Sequence, residues 1–257
     1  MRENILHKCA ALLAICLYAV IFSSCEGMFD GIYDSPQDSG DDTSQETKYG
    51  FVSYDSLSHK GVLYLDMTNY KRWTYLSFKD MTLQNIAIPE TLTGNWDGHS
   101  GISYQYVNGK EYTLDTMIKT DAQTDALYWD LALHRFDARV KGGAYMTDYN
   151  SLDELLSSGK DFDNAEFVSD EYTDNQVMTD ISSMFSFRIG YQNINCNKVL
   201  SSWLDMDIST PPPIFTPSGK VYILRFDDGN KAALHLDSYV SDSGVKGYLT
   251  ISFIYPY

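Results

Sequence analysis

A chain of 257 residues with a formal net charge of −16 and 20 tyrosines is acidic and rich in aromatic side chains. An acid surplus of that size argues against nucleic acid and anionic lipid surfaces as partners, because both would be repelled. Three of the four cysteines fall within the first 25 residues, which excludes a disulfide framework for the rest of the chain.

At the start of the chain, Arg2 and Lys8 precede an apolar stretch over 9–22, and Ser23 and Ser24 come directly before Cys25. This basic, hydrophobic, small-residue order is that of a secretory signal, and the stretch is too short to span a membrane as a mature helix. Residues 1–24 are therefore expected to be a lipoprotein signal peptide and Cys25 the acylated residue that follows it. Phe22 stands where such signals usually carry an aliphatic residue. Residues 26–48 hold seven acids and one base among scattered Gly, Ser and Pro. They have too little apolar surface to fold, so 25–49 is expected to be a solvated tether and 50–257 a single domain.

From residue 50 onward, short alternating runs rich in Tyr, Val, Ile and Phe are separated by Gly, Asn and Asp, as in antiparallel strands. Expected strands are 62–66, 73–78, 83–88, 102–107, 127–140 and 184–191. The one clear helical signature is SLDE at 151–154, a capping box followed by Leu155 and Leu156 and closed by Gly159. TPPPIFTP at 210–217 is expected to be a rigid surface loop, because its prolines lack the donors that a central strand needs. Runs at 221–226 and 231–239 flank DDGN at 227–230, whose Asp-Gly step signals a hairpin. Over 246–255, Leu249, Ile251, Phe253 and Tyr255 share one face, and Tyr248, Thr250, Ser252 and Ile254 the other. These last three runs read as a meander. The expected fold class is all-β, predominantly antiparallel, with one short helix.

No phosphate-cradling loop, nucleophile elbow, zinc helix or cysteine pair occurs at ligand spacing, so the reading is a binding protein and not an enzyme. His59, His99, His134 and His235 are scattered. His134 lies in WDLALHRFD at 129–137, where unbroken alternation places Asp130, Ala132, His134 and Phe136 on one strand face. A histidine hydrogen-bonded beside Arg135 and Asp137 is the expectation there, in preference to a metal or haem ligand. Cys196, without a partner cysteine, is expected to be an inert thiol.

WDLALHRFD at 129–137, followed by GGA at 142–144, resembles the central strand and turn of the HmuY-like haem-binding lipoproteins of Gram-negative bacteria. YKRWTYLSF at 70–78 is similar to their early strand pair. KVYILRFDDG at 220–229, DSY at 237–239, KG at 246–247 and YP at 255–256 are similar to their C-terminal meander. The resemblance implies a HmuY-like fold and a lipoprotein held at the outer membrane, on the cell surface, by its lipid anchor alone. It also implies a hemophore-like role in iron acquisition: capture of haem as cofactor and cargo, and transfer to an outer-membrane TonB-dependent transporter.

In that family two extended hairpins between the central strand and the meander each offer one axial ligand to the iron, which here points to 161–219. No histidine lies between His134 and His235, so the histidine pair of the best-known member has no counterpart. Some relatives use two methionines. The resemblance then implies Met178 and Met206 as axial ligands, with Met184 in reserve, and Trp203-Leu204 as the approach to the second. The alternative is a HmuY-fold lipoprotein that binds no haem and recognises another small molecule or a surface partner.

Overall fold

The computed structural model describes residues 49–89, 102–105, 111–120, 125–183, 188–207 and 214–257. The expected signal peptide, Cys25, nearly all of the expected tether and Met184 lie outside the described residues. The first strands are β1 (Gly50–Asp55), β2 (Lys60–Asp66), β3 (Arg72–Ser77), β4 (Thr82–Ala87), β5 (Ile102–Gln105) and β6 (Glu111–Thr120). Then come β7 (Leu131–His134), β8 (Asp137–Val140), β9 (Gly143–Met146) and helix α1 (Leu152–Ser158). The chain continues through β10 (Glu171–Asp180), β11 (Arg188–Cys196), a 3₁₀ turn (Leu200–Trp203), β12 (Leu204–Asp207) and β13 (Ile214–Pro217). It ends in β14 (Val221–Arg225), β15 (Lys231–Val240) and β16 (Lys246–Ile254).

The strands form a six-stranded sheet (β1-β2-β16-β15-β14-β9), two four-stranded sheets (β4-β3-β7-β8 and β10-β11-β6-β5) and the β12-β13 ribbon. All neighbours are antiparallel except β11 and β6. The expected meander is β14-β15-β16, the middle of the large sheet. Its first turn is a three-residue loop in which Gly229, at φ 86, donates to the Phe226 carbonyl, a conformation glycine adopts without cost.

Layering follows from which residues alternate. The inner face of the six-stranded sheet, with Leu63, Leu249, Ile251 and Leu234, packs on Leu76, Leu131, Leu133 and Val140 of the β3-β7-β8 sheet. The opposite face of that middle sheet, with Trp73, Tyr75 and Ala132, packs on Val177, Ile194 and Cys196 of the β10–β11 pair. On the far side of the large sheet, Leu155 of α1 meets Val221, Ile223, Ala233 and Ile254. The helix is capped as its sequence dictates: Ser151 accepts from the Glu154 amide at 3.1 Å, and Gly159 closes it at φ 64.

Four expectations change. The strand expected over 184–191 is described from Arg188 and runs on to Cys196 as β11. The run 127–140 is not one strand but the β7–β8 hairpin, with His134 paired to Asp137 and Arg135 at φ 50 in the two-residue turn. Both faces of this hairpin are buried, so alternation carried no mark of the reversal. Arg135 holds the unfavourable φ because its guanidinium donates to the Met67 and Thr68 carbonyls and lies 4.0 Å above the Tyr70 ring. Phe136 therefore sits in the turn and not on the face of His134. The described part of 210–217 is not loop: Ile214–Pro217 is β13, whose one proline, Pro217, is tolerated because a two-stranded ribbon has only edges. The last strand ends at Ile254, one residue earlier than expected.

Candidate functional site

Two hairpins occupy the interval between the middle sheet and the C-terminal meander. In the first, β10 pairs with β11 from Glu171↔Cys196 to Asp180↔Gly190, with register shifts between Thr173 and Val177 and between Met178 and Asp180. Thr173-Asp174-Asn175 thus lies at an irregularity within a strand. The shift sets Val177 inward against the middle sheet, and Met178, one residue on, faces the other side. There it is half-buried against Ile189 and Tyr191, as is Ile181, near the backbone bond that Arg188 donates to the Ser183 carbonyl.

The second hairpin is the ribbon. Trp203 roots it by donating Nε1–H to the Phe136 carbonyl at 3.1 Å, and the Ser218 amide closes its base on the Trp203 carbonyl at 2.7 Å. Alternation then puts Leu204 into the core and Met206 on the same face one step further out, half-buried and directly opposite Phe215. Phe215 lies tilted against Tyr239, ring centroids 5.0 Å apart, and stacks on Phe136 at 6.4 Å. Met206 is followed by Asp207, the last residue before the ribbon's connection. The structure thus places Met178 and Met206 on separate hairpins, each toward the outer end, in different surroundings and with no pairing between their strands.

The other candidates are occupied. His134 is 1% exposed; its Nε2 faces the Tyr70 carbonyl at 2.7 Å and its Nδ1 the Asp137 carboxylate at 3.3 Å. A carbonyl opposite Nε2 requires a proton there, and Asp137 engages the other nitrogen, so neither is available to a metal. Burial pushes the Asp137 carboxyl up, and the His134 bond opposes that rise. Cys196 is buried, and desolvation drives its thiol well above the ordinary range, as an inert thiol requires.

Sequence reasoning missed a polar layer between the middle sheet and the first hairpin. Arg139 pairs with Asp125 at 2.7 Å, reaches the Tyr75 hydroxyl at 3.3 Å and lies 4.8 Å over the Trp129 ring. Trp73 donates to Gln192 of β11 at 2.9 Å, which ties the hairpin to the sheet beneath it. Asp170 accepts from the Val140 amide at 3.1 Å, and burial pushes its carboxyl up to about 6. The signal for this layer was the two-residue spacing of Asp137 and Arg139 against Ala138 and Val140, legible only once the hairpin is known. Among the described residues no group of three or more His, Cys, Asp or Glu is placed to hold a metal ion.

The HmuY protein family matches residues 69–253. Among solved structures, a candidate lipoprotein from Bacteroides fragilis is 33% identical, covers 83% of this chain and 98% of its own, and superposes with a TM-score of 0.65. A candidate HmuY-like haem-binding protein from Bacteroides vulgatus is 29% identical, with 82% and 99% covered and a TM-score of 0.64. The apo HmuY analogue of Tannerella forsythia, 18% identical with 80% and 97% covered and a TM-score of 0.53, shares the fold. Curated protein sequences give no match. With 69–253, most of the chain, matched by the family, the chain belongs to the HmuY protein family.

Proposed function

We propose that this protein is a surface lipoprotein of the outer membrane that captures haem on its two hairpins and passes it to a TonB-dependent transporter. The observation that carries the reading is the placement of one methionine toward the outer end of each hairpin, Met178 on β10 and Met206 on β12. The B. vulgatus relative is described as a candidate haem binder and the B. fragilis relative as a candidate lipoprotein, and both support it.

The donor set suits haem. Thioether sulfur is a soft ligand with established use on haem iron, and no histidine lies on either hairpin. The chemistry that bound haem would supply is an iron that accepts soft donors, and the proposed role is that of a binding protein and not an enzyme. Met178 and Met206 would hold it, with Met184 in reserve for the first. Phe215, Phe136 and Tyr239 fix the ribbon that carries Met206, and Gln192 and Trp73 fix the strand opposite β10. Cys25 would supply the anchor and the acidic tether the reach.

One observation favours the rival reading, a HmuY-fold lipoprotein that takes another small molecule or a surface partner. Met178 already packs beside Ile189 and Tyr191, as a gap-filling methionine does. Haemin added to the purified protein separates the two: a shifted, saturable Soret band supports the first, and an unchanged haemin spectrum in both oxidation states overturns it.

A further inference from the structure

The open half of the six-stranded sheet carries a cleft that takes no part in the haem reading. It has a volume of about 550 Å³ and lies between the β1–β2 hairpin, the β15–β16 pair and the start of α1. That size accommodates a small molecule. None of its lining residues belongs to either hairpin.

The polar groups of the cleft are fixed in place. His235 Nδ1 meets Asp237 Oδ1 at 2.7 Å, and Ser252 donates to the other oxygen of Asp237 at 2.6 Å. Lys60 pairs with Asp153 at 3.0 Å across the mouth. Asp55 accepts from the Leu57 amide at 2.9 Å and the Ser58 hydroxyl at 2.8 Å, bonds that hold its carboxyl below the usual range. Lys60 is therefore paired, and Asp55 and Asp237 each already accept from a donor. With three carboxylates and one paired lysine in its lining, the cleft repels an anion.

What remains is directional: the second lone pairs of the carboxylates, His235 Nε2 and serine hydroxyls, all at set positions. A ligand hydroxyl, which donates and accepts at once, satisfies such a mixed set where an ammonium, which only donates, or a carboxylate, which only accepts, does not. Val62 and Gly61 add an apolar floor. Tyr64, two residues along β2 from Val62 and so on the same face, stacks with Phe51 at 5.7 Å and Tyr248 at 6.0 Å. Phe51 is 55% exposed, so this aromatic strip borders solvent beside the cleft. Polar groups that fix orientation beside aromatic surface are what a sugar ring, apolar on its C–H face and polar at its rim, requires.

We infer that this cleft binds a neutral polyhydroxylated ligand of the saccharide class. The test is titration of the ¹⁵N-labelled full mature chain with glucose, galactose, N-acetylglucosamine, maltose and lactose, with galacturonate and glucosamine as charged comparisons. At least one neutral sugar should give saturable shifts at Val62, His235 and Ser252, with affinity on the order of millimolar. Asp237→Asn should weaken it by about tenfold. Val62→Trp, at an exposed strand position that tolerates tryptophan, should fill the cleft and abolish binding while the haemin titration stays unchanged. The inference is overturned if none of these sugars gives a saturable shift, if a charged comparison binds more tightly than every neutral sugar, or if binding survives Val62→Trp.

Discussion

Met206 on β12 stands directly opposite Phe215 on β13, and the Phe215 ring packs against Tyr239 of the large sheet with centroids 5.0 Å apart. The ribbon is thus clamped to the core at the residue facing the proposed ligand. Phe215→Ala should remove the clamp at a cost of about 2–3 kcal/mol, somewhat less than for a fully buried phenylalanine. Haemin affinity should fall with it, whereas Leu156→Ala on the exposed side of α1 should leave haemin affinity unchanged. Urea denaturation and haemin titration of the two variants check this, and equal affinity in both would show that the clamp does not position the site.

His134 is predicted to serve the fold alone. His134→Ala leaves the Asp137 carboxyl buried without its partner, a loss of about 3 kcal/mol. The milder His134→Gln keeps a polar group against the Tyr70 carbonyl and provides a folded variant for spectroscopy. Its haemin spectrum should match that of wild type, and a displaced Soret maximum would contradict the assignment.

Asp170 gives a pH dependence of defined sign. Its folded value of about 6 lies above the reference value of 3.8, so the ionised form costs stability in the folded state. That cost is fully present above about pH 6 and disappears as pH falls toward 4. Asp137 acts in the same direction. Asp170→Asn retains an acceptor for the Val140 amide but cannot ionise. Between pH 7 and 5 wild type should gain stability relative to Asp170→Asn by at most about 2 kcal/mol. Parallel urea midpoints for the two proteins over that range would refute the prediction.

Cys25→Ser should release the protein from the membrane fraction, since the proposed anchor is a single acylated cysteine. Cell fractionation with fatty-acid labelling checks this. A Cys25→Ser protein that still sediments with membranes and still incorporates label would exclude lipidation at Cys25.

The parts of the fold legible in sequence are those where a strand buries one face. Leu249, Ile251 and Phe253 point inward as their spacing indicates, and the alternation fails only at Ile254, which α1 covers from the other side. The β7–β8 hairpin was hidden because both of its faces are buried and its turn residues, Arg135 and Phe136, are not turn formers. Only the tertiary contacts of Arg135 with Met67, Thr68 and Tyr70 explain that turn. Met206 could be located because Trp203 and Leu204 anchor the approach to it, whereas the surroundings of Met178 depend on a strand irregularity that composition does not encode. The cleft at His235 was invisible because it joins β2, β15, β16 and α1, which are far apart in the chain.

The central claim is tested most directly by titrating haemin, oxidised and then reduced, into wild type, Met178→Ala and Met206→Ala. A thioether pair should favour the ferrous form and persist at mildly acidic pH, because sulfur does not protonate where an exposed histidine, with a reference pKa of about 6.5, would. Each variant should lose affinity by at least about tenfold and change its ferrous spectrum. Wild-type spectra and affinity in both variants would contradict the assignment of Met178 and Met206, and the absence of any Soret change in wild type in either oxidation state would contradict haem binding itself.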